Sequence, residues 1–432
     1  MHVLLSPGRF DRPTTPAPGA SADSGWAALG APEVARAIAD GWHDARPGDR
    51  VELLPLNDGG PGLIDVLRAA RGGELAAVTV PDASGVPVPS AVLVLTEESG
   101  SRTAYVDGSL ALGGSAPVDR SSSAGLGALV RAAVDTGAER VVVGTGPRRV
   151  TAHDGGWGLL RTLIGAPDLP ERALGAAMPA MADRIAAVQE ELRGRDLVLL
   201  ATHDLALLGL NGASAALVDA GRATAEESQA VERRMADLVA TLTAAAGAGR
   251  TNLLAPAHGH GHDHDEEHAH RTETVAQVGA AAALGRPAGA ASRTTTTRPA
   301  VAPGSGAGGG AAFVLGLLGA RRVDGAAWVA DAVRLADRVG SADLVVTGAG
   351  VLDAAALEEG VVPAVSGAAL PLGIPVIALA AQVRTGRRDW GAAGVAGAFG
   401  VIEEPGQLAD WQAGPAAALR SRVPRIARTW SR

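Results

Sequence analysis

Short apolar runs recur along this chain, each closed by a glycine- or aspartate-rich turn and followed by residues of helical periodicity. That alternation restricts the fold more than any single motif, because strands joined through helices run parallel and must be covered by those helices. His2 to Ser6 reads as a strand, and Ala31 to Trp42 as a helix with Val34, Ala37, Ile38 and Gly41 on one face. Val51 to Leu56 is the next strand, ending at Asn57-Asp58-Gly59-Gly60, and Leu63 begins the next helix. The C-terminal third repeats this order with strand Ala342 to Thr347, turn Gly348-Ala349-Gly350, helix start Asp353 to Leu357, strand Pro375 to Ala380 and a last strand within Val395 to Val401.

The middle has a different character. Ala76 to Thr79 and Ser90 to Leu95 read as hairpin strands, Ser122 to Thr136 as a helix and Arg140 to Gly144 as a strand. A chain of 432 residues exceeds the size at which a single core stops growing. The expectation is an α/β protein of two α/β domains. A discontinuous Rossmann/flavodoxin-like domain takes residues 1–72 plus 300–432, and a mixed α/β domain, 73–254, is inserted in its middle. Residues 255–299 are expected to be a disordered His-rich linker, and Arg12 to Gly25, crowded with Pro, Ala, Ser and Gly, a mobile loop.

Composition narrows the chemistry. All 38 cationic side chains are arginine, so Schiff-base or other amine chemistry is excluded. There is no cysteine, hence neither thiol nucleophile nor disulfide. Only 11 aromatic residues and a net charge of −8 argue against nucleic acid as a partner. The arginines of the tail, Arg420, Arg422, Arg425, Arg428 and Arg432, read as the solvated face of a last helix. No apolar run reaches the roughly 18 residues needed to cross a bilayer, and the first residues lack the pattern of a signal peptide. A cytoplasmic protein with no membrane partner is expected.

Two Asp-Gly-Gly triplets, Asp58-Gly59-Gly60 and Asp154-Gly155-Gly156, each stand between a strand and a helix. Each reads either as an ordinary Asp-Gly turn or as an acidic loop beside bare backbone at the carboxyl edge of a sheet, where ligands of such sheets bind. A third element, the glycine tract Pro303 to Gly310, precedes the helix Phe313 to Leu318 and reads either as a close-packed helix start or as an anion loop. No Gly-Lys-Ser/Thr follows, so it is not a Walker loop.

Together these residues resemble the glycerate kinase family over nearly the whole chain. Pro55 to Leu63 is similar to the family's Pro-x-Ala-Asp-Gly-Gly-Glu-Gly-Thr, Ser121 to Val130 to its Ala-Thr-Ser-Tyr-Gly-Thr-Gly-Glu-Leu-Ile, and the stretch ending at Asp154-Gly155-Gly156 to its Gly-Gly-Ser-Ala-Thr-Asn-Asp-Gly-Gly. Leu207-Leu208-Gly209, the glycine tract and Thr347-Gly348-x-Gly350-x-x-Asp353 follow in family order. The departures fall on charged positions. The lysine of the first motif has no counterpart, Pro61 and Ala349 replace glutamates, and Val351 replaces an arginine. Pro147 to His153 replaces the small-residue run, and Ala201-Thr202-His203-Asp204-Leu205-Ala206 stands for Cys-Asp-Val-x-Asn-Pro.

The resemblance implies ATP-dependent phosphorylation of glycerate or a related small hydroxy acid, with ATP and Mg²⁺ as cofactors; the loss of charged groups leaves open a non-catalytic scaffold or sensor that keeps the cleft. It implies Asp353 as Mg²⁺ ligand or base, Asp58 and Asp154 in substrate or metal contacts, and Ser122 and Ser123 in hydroxyl contacts. Gly59, Gly60, Gly155, Gly156, Gly304, Gly306, Gly308, Gly348 and Gly350 would supply nucleotide or substrate loops. Arg148 and Arg149 would either replace lost cations or fill the site. The run from His258 through His260, His262, His264 and His268 to His270 is expected to bind transition metals adventitiously.

Overall fold

The computed structural model describes residues 1–11, 28–147, 150–171, 174–251, 299–404 and 406–431. Eleven strands among them form two sheets. The first sheet consists of β1 (His2–Pro7), β2 (Arg50–Leu53), β9 (Leu344–Leu352), β10 (Val376–Val383) and β11 (Gly397–Gly400). All its pairs are parallel and the spatial order is β2-β1-β9-β10-β11. In chain order this is 2-1-3-4-5, the flavodoxin-like doubly wound arrangement, whose winding direction reverses between β1 and β9.

The second sheet runs β3 (Glu74–Pro81), β4 (Pro87–Thr96), β5 (Arg102–Asp107), β6 (Arg140–Gly144), β7 (Asp196–Ala201), β8 (Arg321–Asp324). Its first two pairings are antiparallel and the other three parallel. The insertion therefore has the mixed α/β character expected of it. Its extent is larger than the sequence suggests: the glycine tract, the helix Ala311–Leu317 and β8 all belong with the second sheet, so the chain re-enters the first sheet at Leu344 rather than near residue 300. The strand Arg321–Asp324 is short and polar, and its only pattern is its parallel pairing to Val198–Ala201.

The two sheets share an apolar layer. Leu4 and Val345 of the first sheet, Val142 and Leu200 of the second, and Leu63, Val329 and Val365 from intervening helices form one buried cluster. On the opposite face of the first sheet, Val3, Leu5, Val346 and Ile377 pack under the helices Ala31–Ala45 and Pro415–Trp430, with Trp42 and Trp411 fully buried. On the C-terminal helix Arg420, Arg425 and Arg428 are exposed, with Arg420 bonded bidentately to Asp44, whereas Arg422 is half-buried against the Gly400 carbonyl; Arg432 lies outside the described residues. The loop Arg12 to Gly25, the linker 255–299 apart from its last residue, Arg148, Arg149, and the histidines His258 to His270 lie outside the described residues.

One element differs in kind. Gly348-Ala349-Gly350 is not a turn: β9 continues through it to Leu352. The glycines are required by what lies above them. A Cβ on Gly348 would sit 2.3 Å from the Leu379 carbonyl oxygen and 3.1 Å from the Phe10 ring, and one on Gly350 would sit 2.2 Å from the carbonyl oxygen of Asp11. The segment after β1 lies directly on this part of the strand.

Candidate active site

A cleft of about 750 Å³ opens where the carboxyl ends of both sheets meet. The first sheet contributes Gly8, Arg9 and Asp11 after β1, Asn57 and Asp58 after β2, and Gly348 to Val351 with Asp353 at the end of β9. The second contributes Pro147 after β6, and Thr202 and Leu205 after β7. The β1/β9 switch point thus lies in the cleft floor, the position at which open parallel sheets bind ligands.

Asp58 is held by its own turn. The Asn57 Oδ1 accepts from the Gly59 amide at 2.7 Å, and the Asn57 amide donates to the Gly60 and Pro61 carbonyls. The Asp58 Oδ1 accepts from the Gly60 amide at 3.0 Å. Gly59 has φ +93°, and a Cβ there would meet Leu200 at 2.7 Å, so the turn requires glycine and is pressed onto β7. Asp107, at the end of β5, accepts from the amides of Gly62 and Leu63 and so ties the next helix to the second sheet. Burial raises the Asp58 carboxyl to about 6, opposed by the Gly60 hydrogen bond and reinforced by the charges of Asp11 and Asp324. A carboxyl titrating there is a proton acceptor near neutral pH.

Asp353 caps the helix Ala354–Glu358, its Oδ1 accepting from the Ala356 amide at 3.0 Å, and it also lines the cleft. Asp58 and Asp353 are therefore brought together, with Gly348 and Gly350 in the same wall and Gly59 and Gly60 beside Asp58. Residues absent from the sequence-level expectations join them: Arg9, whose Nε donates to Asp11 at 2.5 Å, together with Asp11, Asp219 and Glu359. A charged pair immediately after the first strand of a parallel sheet was the available signal for Arg9 and Asp11.

Asp154 is a correction. It lies 4 % exposed, away from the cleft lining, and its carboxylate accepts from the amides of Ser123, Gly156 and Gly158 and from the Ser123 hydroxyl. Three of these bonds converge on Oδ2 and one on Oδ1, all from inside the second domain, so the carboxylate ties the loop together; burial raises its pKa against these four bonds. Ser123 is equally committed, bonded to Asp154 and accepting from Leu159, and Ser122 accepts from Ala124 at the start of the same helix. Gly155 and Gly156 have positive φ and pack on the glycine tract, the Gly155 amide donating to the Gly309 carbonyl. A Cβ on Gly156 would meet the Gly310 carbonyl at 2.7 Å. The identical triplets thus have different work: one carries a cleft acid, the other a buried latch. Gly304 lies against Arg322, whereas Gly306 and Gly308 line a second, smaller cavity of about 50 Å³ with His153, His203 and Arg222.

Among the described residues no group of three or more His, Asp or Glu is arranged to hold a metal ion by itself. No helix among them is long and apolar enough to cross a membrane.

Comparison with known proteins agrees with this architecture. The model of the glycerate kinase family matches residues 21–431. Uncharacterised proteins of Mycobacterium bovis and Mycobacterium tuberculosis are each 30 % identical over 417 residues, covering 94 % of this chain and 88 % of theirs. The glycerate kinase of Bacillus subtilis is 34 % identical over 149 residues, 33 % of this chain and 38 % of its own. A crystal structure from Salmonella typhimurium LT2, provisionally named glycerate kinase 2, superposes with a TM-score of 0.63 at 21 % identity, covering 99 % of this chain and 98 % of that one. With a family match over nearly its whole length, this chain belongs to the glycerate kinase family.

Proposed function

We propose that the protein is an ATP-dependent kinase for glycerate or a related small hydroxy acid, acting in the cleft between the two sheets. The observation that carries this reading is the placement of Asp58, with a carboxyl pKa of about 6, in the same cleft as Asp353 at the carboxyl ends of the parallel strands.

Asp58 takes the proton of the acceptor hydroxyl on its Oδ2, since Oδ1 is held by the Gly60 amide. The hydroxyl oxygen forms the new bond to the terminal phosphorus of ATP as the bridging P–O bond breaks, and that electron pair leaves on ADP. Asp353 and Glu359, both in the cleft lining, are the carboxylates that would hold Mg²⁺. That ion usually takes one or two protein carboxylates and completes its shell with phosphates and water, so the lack of a preassembled metal cage is compatible with it. Bound there, Mg²⁺ would neutralise charge on the transferring group.

One feature favours the rival reading of a ligand-binding but non-catalytic protein. Arg9, the cation of the cleft lining among the described residues, is already paired to Asp11. Incubation with ATP, Mg²⁺ and D-glycerate, following ADP, separates the two. Turnover that disappears in Asp58→Asn supports the kinase; nucleotide-induced thermal stabilisation without turnover supports the binding protein.

A further inference from the structure

Asp58 belongs to the first sheet by sequence and to the second by contact. The chain leaving β2 is still bonded to β1 at Leu54 and Leu56, whose amides donate to the Leu5 and Pro7 carbonyls at 2.8 and 3.0 Å. The turn that follows is seated on the carboxyl ends of the second sheet. A Cβ on Gly144, the last residue of β6, would lie 2.4 Å from the Gly59 carbonyl oxygen, and one on Gly325, directly after β8, would lie 1.9 Å from the Asp58 carbonyl oxygen. Neither glycine has the positive φ that would call for it on conformational grounds. Each is small because the Asp58 turn occupies the place of its side chain. With Gly59 pressed on Leu200 of β7, the ends of three strands of the second sheet meet two residues of the turn.

One polar anchor completes the seat. Asp107 closes β5 and faces the start of the helix Leu63–Arg71. Its Oδ2 accepts from the Gly62 amide at 2.8 Å and from the Leu63 amide at 3.2 Å, while its Oδ1 accepts from the Ser109 amide at 3.0 Å. Gly62 precedes that helix with φ 88° and has no side chain to cap it. A carboxylate from another strand therefore satisfies an orphan amide of the helix start and places negative charge at its positive end. Asp353, by contrast, caps its own helix, Ala354–Glu358, at the end of β9 in the first sheet. Asp58 and Asp353 face one cleft but are mounted on different sheets.

We propose that Asp107 is a positioning residue for the phosphoryl transfer: by pinning Gly62 and Leu63 it holds the Asp58 turn against the second sheet, so that the proton acceptor keeps its place there rather than moving with the first sheet. This deepens the kinase reading and rests on it for the effect on rate, though not for the anchoring itself. Without the anchor, the Asp58 carboxylate spreads over positions of which few meet the acceptor hydroxyl, and a misplacement of about 1 Å at a reacting group is worth a factor of about 10². Asp107 does not itself line the cleft, so its loss reaches the rate through Asp58 and leaves substrate affinity in place.

The test compares the full chain with Asp107→Ala and Asp58→Asn, singly and together, in turnover of ATP, Mg²⁺ and D-glycerate and in residue-resolved amide hydrogen exchange. In Asp107→Ala, kcat is expected to fall about tenfold or more while each KM changes less than about twofold. In the Asp58→Asn background the same substitution is expected to change kcat less than about twofold, the non-additivity of two groups that act as one. A merely structural role would lower the rate equally in both backgrounds. The Gly59 and Gly60 amides bond within the turn to Asn57 and Asp58, not to Asp107, and are expected to exchange about tenfold faster or more in Asp107→Ala. A kcat close to that of the wild type overturns the positioning role and leaves the kinase reading intact. Equal losses in the two backgrounds also overturn it, as do unchanged exchange rates at Gly59 and Gly60. A wild type without turnover rejects the kinase reading, and exchange alone then decides the anchoring. If Asp107→Ala fails to fold, Asp107→Asn, of the same size and with one acceptor oxygen left, takes its place, with an effect of about threefold or more expected in both readouts.

Discussion

The Cα of Gly350 passes so close beneath Asp11 that a Cβ would lie 2.2 Å from the Asp11 carbonyl oxygen and 2.6 Å from its amide nitrogen. This contact stacks the segment after β1 on the end of β9, and it sets where Arg9 and Asp11 stand relative to Asp353. Gly350→Ala must push one strand end away from the other. A loss of about 2–3 kcal/mol in urea unfolding is expected, in the range of overpacked sites, together with a raised KM for substrate. Unchanged stability would mean that the two segments are free to separate.

Asp58 and Asp353 should respond differently from Asp154, although all three are motif aspartates. Replacing Asp154 by Ala strands the amides of Ser123, Gly156 and Gly158 in a buried loop, which should cost about 3 kcal/mol or more and lower the thermal midpoint by several degrees. Asp353→Ala loses only a helix cap, about 1 kcal/mol, yet should abolish turnover. Thermal unfolding and initial rates on both variants check this; an Asp154→Ala protein of wild-type stability would contradict the latch.

The raised pKa of Asp58 has a definite sign in both stability and rate. At about pH 3 and below the acid is largely protonated in folded and unfolded chains alike. As pH rises from the ordinary value of 3.8 through about 6, the unfolded chain releases this proton before the folded one, so the stability that the protonated group confers is lost. Asp58→Asn should therefore unfold like the wild type at pH 3 but be more stable at pH 7.5 by on the order of 1–3 kcal/mol. In the same window, kcat/KM of the wild type should climb as pH passes about 6, since the base must be ionised to act. A flat rate profile between pH 5 and 7.5 would exclude Asp58 as the acceptor of the proton.

Much of the architecture was legible because burial on both faces writes parallel strands as continuous apolar runs. Val3, Leu4 and Leu5, Val141 to Val143, and Ile377 to Ala380 show this directly. What the residues concealed was of two kinds. The strand Arg321–Asp324 carries no apolar run, so its place in the second sheet is decided by pairing alone. Gly348-Ala349-Gly350 has a turn's composition, but its glycines answer to the chain packed above them, which no local pattern records. The site divides likewise. Asp58 and Asp154 sit in the same triplet between a strand and a helix, and only the surroundings separate a cleft acid from a saturated buried one. His153 and His203 were visible as departures from the family motifs, while their meeting in one cavity depends on two loops folding together.

The account turns on Asp58 working as a base in the cleft. Its most direct test is ADP formation from ATP, Mg²⁺ and D-glycerate by the wild type and by Asp58→Asn, both confirmed as folded. The prediction is measurable turnover by the wild type and a rate reduced by a factor of about 10² or more in the variant, the usual weight of a general base. Equal rates in the two proteins would contradict it.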